Sequence, residues 1–481
     1  MLCQNVSKYG LATHLALAAA LPAALAQFVS AGALACTMLW VAFLAFIWIL
    51  MEPSVFAGET VSGARWRVVH GMLRDPLAWF LVLAVCFAFC RWLNSDVKLA
   101  FDAEAASWAV KDPSVTFLPA SSGDAGFLPF ALTLAATSVI LGVKHALGRN
   151  ARLWFGISAG AVSSVGALTA AIYAGLDVQP FKAAALASFG ATSFAGSMYA
   201  LFLPLAVACG IEAEERGMTK ARLVFAFAVA GNAIGAYVFL PPILSISYLS
   251  ISVLVAVIAL ALVKQRTNAA TMARATSMLF FGVITAVFVF MVLPSADIQK
   301  RKAEGLEFEK VFTPALSDRN EALRRVAKTM WIGHPWAGVG VGAFGLQAPF
   351  CAVKEDWAVL PPEPKDGSNG YFTLIAERGI IGGLMWLVGI AFLCWFWCSR
   401  LVGAFRWQKA QDEGRSFVLN MSAVAWTGPF VLVACAADAW FSSGFPLTPL
   451  AACVVAAMPL AAASFPKVKR KTTGDEEERK E

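Results

Sequence analysis

Charge is what this sequence has least of: only 14% of its 481 residues are Asp, Glu, Lys or Arg, against about a quarter in ordinary soluble domains. With 59% hydrophobic side chains and a mean hydropathy of +0.68, that shortage excludes a soluble globular chain. There is no short internal repeat, and no soluble stretch large enough to build a core of its own. Histidine and cysteine never occur at metal-ligand spacing, so no metal or other cofactor is expected. Most of the cysteines, such as Cys36, Cys86, Cys90, Cys394 and Cys398, fall inside apolar runs and read as small packing residues; Cys351 stands apart in a polar loop.

What is abundant is apolar sequence of membrane-crossing length. A helix needs about 20 such residues to span a bilayer, and runs near 11–27, 30–51, 76–93, 126–144, 152–175, 193–211, 222–240, 243–263, 277–294, 380–398, 418–437 and 445–463 meet that need. The expected fold is therefore an all-α polytopic membrane protein of about twelve transmembrane helices. It comprises one integral domain over 1–463 and a charged tail over 464–481, in which Lys467–Lys471 gives way to Asp475–Glu478. The first run, with Lys8 ahead of it and Ala24-Leu25-Ala26 behind, has the pattern of a signal peptide. A second run follows at once, and an uncleaved first span is the expectation.

Each span reverses the side of the next loop. Arg65, Arg67, Arg74, Lys144, Arg149, Arg152, Arg216, Lys220, Arg222, Lys264, Arg266, Arg274, Arg400, Arg406, Lys409 and Arg415 then all fall on one side. The positive-inside rule makes that side cytoplasmic, with both termini, and this asymmetry accounts for the net charge of +7 without invoking nucleic acid. The acidic 94–125 connection and the long 295–379 loop fall outside.

A loop of that length usually carries function. Within it Asp318 and Glu321 can form a capping box, followed by an apolar stripe of Leu323, Val326, Ala327, Met330 and Trp331. Arg319 lies on the line of that stripe and Arg324, Arg325 and Lys328 lie to its side. His334-Pro335 stops the helix, and Gly338, Gly340 and Gly342 permit a tight return. Glu377-Arg378-Gly379-Ile380-Ile381-Gly382 marks re-entry into the membrane, with glycines spaced for close helix packing. An arginine held on an apolar face at the membrane surface suits phosphate oxygens, with a salt bridge or snorkelling as the bland alternative.

The order Ser317-Asp318-Arg319, His334-Pro335-Trp336-Ala337-Gly338-Val339-Gly340, Asn369-Gly370-Tyr371-Phe372 and Glu377-Arg378-Gly379-Ile380-Ile381-Gly382 resembles the signature region of the O-antigen ligase and O-antigen polymerase superfamily. The resemblance implies a metal-independent glycosyltransferase of the bacterial inner membrane. It would move glycan from an undecaprenyl-diphosphate, lipid-linked oligosaccharide donor to a glycan or lipid A-core acceptor at the outer face. Arg319 then matches the family arginine that binds diphosphate. Two departures stand out: Ser368 occupies the place of the family histidine, where a serine hydroxyl cannot serve as a base near neutral pH, and Tyr248 stands near the place of an earlier family arginine.

Replacements for those groups are few. His334 and Asp366 are candidate bases, although the proline after His334 suits a structural role. Arg91 and Lys182, at the outer ends of spans, are candidate sources of positive charge. Ser368, Asn369, Glu377 and Arg324 complete the candidate substrate-binding set, Glu377 with an alternative role in orienting the loop. The competing expectation is a catalytically silent relative, or a transporter on the same scaffold. For a transporter, polar or broken mid-membrane helices are needed, and only Asn232, Gly235 and Pro241-Pro242 qualify.

Overall fold

In the computed structural model the described residues are 2–25, 28–53, 55, 59–95, 97–102, 107–111, 120–175, 191–218, 221–239, 242–264, 269–292, 318–360, 370–411, 424 and 427. Thirteen helices occur among them: α1 Leu2–Leu25, α2 Ala31–Met51, α3 Val61–Leu73, α4 Pro76–Leu93, α5 Phe127–Leu141, α6 Arg149–Gly175, α7 Ala191–Glu215, α8 Ala221–Phe239, α9 Pro242–Lys264, α10 Ala269–Val292, α11 Asp318–Gly333, α12 Phe344–Cys351 and α13 Gly370–Gln411. The first ten expected spans each coincide with a helix. Seven helical segments among the described residues are long and apolar enough to cross a membrane, in α2, α4, α5 with its following turn, α6, α7, α8 and the first half of α13. The expected spans 418–437 and 445–463, and the tail, lie outside the described residues.

The bundle core forms where α6 packs against α1, α7 and α8, with α2 against α5 alongside. Small residues allow the close approach. A Cβ on Gly231 would lie 2.4 Å from Ser164 Cβ, and one on Gly156 would lie 2.4 Å from Cys209 Sγ. Leu11, Leu15, Ala16 and Ala20 of α1 are buried in this core, so the segment that resembles a signal peptide is packed here as a bundle helix. Asn232 is fully enclosed: its amide donates to Gly160 O at 2.7 Å and Ala228 O at 2.8 Å, and its oxygen accepts from Ser163 Oγ at 2.6 Å. That makes it a tie between α6 and α8. A Cβ on Gly235 would meet Tyr199 at 2.5 Å, so these two residues serve helix packing.

One end of the bundle carries Lys144, Arg216 and Arg222, three of the basic residues that the loop pattern assigns to a single side. Asp75 caps α4, accepting from Leu77 N–H at 3.1 Å, and also accepts from Lys144 Nζ at 2.5 Å and pairs with His145 Nε2 at 2.9 Å. Lys144 and His145 sit in a π-helical turn, Gly142–Ala146, that extends α5. Nearby, Arg216 pairs with Glu212 at 2.6 Å and Arg222 with Glu214 at 2.8 Å. Burial alone would raise the Asp75 pKa, but the hydrogen bonds and charges of His145 and Lys144 outweigh it and hold the carboxyl down at about 2, from 3.8. A lowered folded-state pKa contributes stability that is complete above pH 3.8 and is lost as pH falls through about 2. At roughly 1.4 kcal/mol per unit, this is worth about 2 kcal/mol. The difference in unfolding midpoint between wild type and Asp75→Asn in detergent is expected to be largest near neutral pH and to shrink below pH 3.8. A pH-independent difference would show that the carboxylate charge plays no part.

The opposite end carries two features that the sequence reading did not describe. First, the 94–125 connection contains a two-stranded antiparallel hairpin, β1 Lys98–Asp102 with β2 Ser107–Lys111, in register Ala100↔Ala109. Second, the segment around α11 and α12 has a small apolar cluster of its own. Leu323, Val326, Ala327 and Met330 of α11 pack with Val97, Ala120, Val339, Phe344, Ala348 and Ala376. The apolar stripe of α11 is the face that enters it, and Cys351 packs at its edge as a free thiol whose pKa burial pushes up.

Candidate functional site

The two glycine-bearing motifs meet. α13 is broken at Gly379, where φ 59 and ψ −164 depart from helix, and the segment after α11 docks into the break. Ile380 N–H donates to Pro335 O at 2.8 Å, Ile381 N–H to Trp336 O at 3.1 Å, Val339 N–H to Ala376 O at 2.9 Å and Gly340 N–H to Glu377 O at 3.0 Å. Space here is available only to glycine: a Cβ on Gly338 would lie 2.3 Å from the Glu377 carbonyl carbon, and one on Gly379 would lie 2.4 Å from Trp336 O. Both residues have positive φ, as do Gly340 and Gly342, the region where other L-residues are disfavoured.

The same strip of backbone reaches the end of α4. Val341 N–H donates to Ala120 O at 3.0 Å and Ser122 N–H to Val341 O at 2.9 Å, and Ser121 Oγ donates to Arg91 O at 3.1 Å. This ladder holds the last turn of α4 against the first turns of α13, although 287 positions separate Arg91 from Arg378. Both arginines are buried, at 4% and 9% exposure, and Arg378 and Glu377 are the charged groups that act on the Arg91 guanidinium. Arg91 also stacks on Phe87, 4.7 Å from the ring centroid. No salt bridge to Arg91 occurs among the described residues. The Glu377 carboxylate is engaged by backbone, accepting from Gly342 N–H at 2.9 Å.

Below the two arginines lies a cavity of about 140 Å³ between α4, α5 and α13. Its walls are apolar apart from Thr133 and Thr137, both of whose hydroxyls donate to backbone carbonyls of α5. On α4 it runs from Arg91 to Leu77, and on α13 from Arg378 to Ile390, which at about 1.5 Å per residue is a length of roughly 20 Å. Gly382 serves this site directly. A Cβ there would lie 2.3 Å from Arg378 Cβ, so the second glycine of the re-entry motif clears a path for the Arg378 side chain on its own helix, and its spacing is not a matter of helix–helix packing. The chemistry is that of a cationic end on a hydrocarbon slot. A bidentate guanidinium suits phosphate oxygens, and the apolar walls suit a lipid chain.

The other expected residues are distributed around this centre. Arg319 occupies the second position of α11, on the turn that precedes Leu323, and its side chain lies outside the described residues. Arg324 holds its guanidinium 5.8 Å from the Phe372 ring, tying α11 to the first turn of α13. Arg325 lies to the side of the stripe, exposed, and bonds the buried Asp356 at 2.7 Å and 3.1 Å and Glu321 at 2.7 Å, so Glu321 pairs forward along the helix. His334 is exposed at the end of α11, its backbone N–H donating to Met330 O and its carbonyl accepting from Gly338 N–H. Tyr248 is 1% exposed within the bundle core. Lys182, Asp366, Ser368 and Asn369 lie outside the described residues.

Sequence reasoning gave Arg378 only a place in the re-entry motif, and the site shows it beside Arg91. The signal available was an arginine one residue before a glycine that must break the helix, since the break turns that side chain toward the neighbouring span. Among the described residues no group of His, Cys, Asp and Glu is arranged to hold a metal ion. No family model matches the chain, and no curated protein matches it.

Proposed function

We propose that this chain is a membrane glycosyltransferase of the O-antigen ligase or polymerase kind. In this reading it transfers glycan from an undecaprenyl-diphosphate donor to a sugar hydroxyl at the outer face of the bacterial inner membrane, with both termini cytoplasmic. The observation that carries the reading is the pairing of Arg91 and Arg378 at one end of an apolar cavity that extends along α4 and α13 for roughly 20 Å. An anionic head on a long hydrocarbon chain is the ligand class that satisfies both halves of that site. The interlocked glycine motifs add support, because they are the same segments that resemble the superfamily.

In the reaction the anomeric carbon–oxygen bond to the diphosphate breaks, and a new bond forms from that carbon to the acceptor oxygen. The acceptor proton passes to a base, and the negative charge that develops on the leaving diphosphate is what Arg91, Arg378 and, from α11, Arg319 would neutralise. Hydrogen-bonded to the Gly342 backbone, Glu377 acts in this scheme as an anchor for the docked loop.

A deletion strain complemented with wild type or Arg319→Ala tests the reading by glycan profile. Deletion is expected to change the length or attachment of a surface glycan. Wild type should restore it and Arg319→Ala should restore it poorly. An unchanged glycan profile in the deletion strain would overturn the proposal.

A further inference from the structure

Helix α3 is a short helix fastened to the ends of three membrane helices, and what it leaves facing outward has a definite chemistry. The Arg65 guanidinium donates to the last carbonyl of α2, Met51 O, at 2.9 Å and 3.1 Å. Arg67 donates to His145 O, in the turn that ends α5, at 3.3 Å. At its C-terminus α3 passes through Arg74 and Asp75 directly into α4. Three span ends at one face of the bundle lie at one depth, so a helix tied to all three along its length lies along the membrane surface. Thirteen residues give it a length of about 20 Å.

Its inward side is closed by Ala64 and Val68, both buried, and by Gly71, where a Cβ would approach His145 Nδ1 to 3.0 Å. On the opposite side Trp66 is 68% exposed and Leu73 56%. At about 100° per residue these two project within about 20° of each other, while Arg65 and Arg74 fall roughly 100° and 80° to either side of Trp66. Arg74 is exposed and makes no side-chain hydrogen bond or ion pair among the described residues. Trp79, one turn into α4 and also exposed, donates its indole N–H to Leu73 O at 2.9 Å. Exposed His70 shares this face, about 40° from Trp66, and stacks on its ring at 5.9 Å. An aromatic centre holding tryptophan, with arginines along both edges, is the arrangement of a helix lying in a lipid interface.

We propose that the outward face of α3 is a docking surface for anionic phospholipid headgroups. Trp66 and Leu73 enter the acyl boundary, and Arg65 and Arg74 contact the phosphates. The depth argument does not depend on the glycosyltransferase reading or on which leaflet the face meets, so the two proposals fail separately.

The test uses the full chain labelled with 5-fluorotryptophan in phosphatidylcholine vesicles containing phosphatidylglycerol, with the Trp66 fluorine resonance identified by its loss in Trp66→Phe. That resonance is expected to broaden with a nitroxide carried on the phospholipid headgroup and to resist a water-soluble gadolinium chelate. Broadening by spin-labelled phosphatidylglycerol should exceed that by spin-labelled phosphatidylcholine by about fivefold, and Arg74→Gln should remove most of the excess. Broadening by the chelate without broadening by lipid would overturn the docking surface. Equal broadening by the two lipids would overturn its anionic selectivity.

Discussion

Arg378→Ala is expected to lower glycan transfer about 100- to 1,000-fold, the range found when one positioned donor to a developing anion is removed. The guanidinium sits in an apolar surround, where a charge-assisted bond to phosphate is worth more than in water. Arg378→Lys should recover only part of the loss, because an ammonium keeps the charge without the planar fork. Arg91→Met should reduce transfer to a similar degree, yet it is expected to leave thermal stability in detergent unchanged or raised. Two buried guanidinium groups repel each other, and among the described residues Glu377 is the carboxylate that acts on Arg91. Removing one charge therefore relieves a strain that a bound anion would otherwise relieve. Transfer rates in reconstituted vesicles, read beside unfolding midpoints without donor, check both halves. Activity retained in Arg91→Met and Arg378→Ala would remove the cavity from the mechanism. A large fall in stability in Arg91→Met would make that arginine a structural residue.

Gly379→Ala is expected to cost at least about 3 kcal/mol and to abolish transfer. Its φ of 59 with ψ −164 lies in a region essentially restricted to glycine, worth about 1–3 kcal/mol for any other residue. The added Cβ would also meet Trp336 O at 2.4 Å, so the motif loop must lift off α13, and Arg378 one residue away moves with it. Gly383→Ala is the matched control. Nothing lies within 4 Å of a Cβ built there, and it follows the break within helix, so alanine should be neutral or stabilising by up to about 1 kcal/mol. Unfolding midpoints and protease sensitivity of the 334–343 segment would separate the two. Equal behaviour of the pair would show that docking at Gly379 does not hold the site together.

The helices were legible because membrane spans are written in composition: a run of about 20 apolar residues is readable without knowing its neighbours. The stripe of α11 was legible for a related reason, since helical periodicity names the face that Leu323, Val326 and Met330 bury before the partner surface is known. The hairpin at 98–111 was less visible, because short strands in an acidic connection carry little periodic signal. Asp356 was invisible as the partner of Arg325, since nothing local links two positions 31 residues apart.

By itself, then, the sequence determined that the chain is a helical membrane protein, where ten of its long helices lie, and that the segments around 334–340 and 377–382 favour glycine. Those are consequences of local composition and backbone sterics. Only the tertiary structure decided that Gly338 and Gly379 press their backbones together, that Gly382 clears the way for Arg378, and that Arg91 stands beside it over a hydrocarbon slot. Which distant side chains share a cavity is set by how helices pack and where a ladder of backbone hydrogen bonds ties their ends, and no local pattern of residues encodes that.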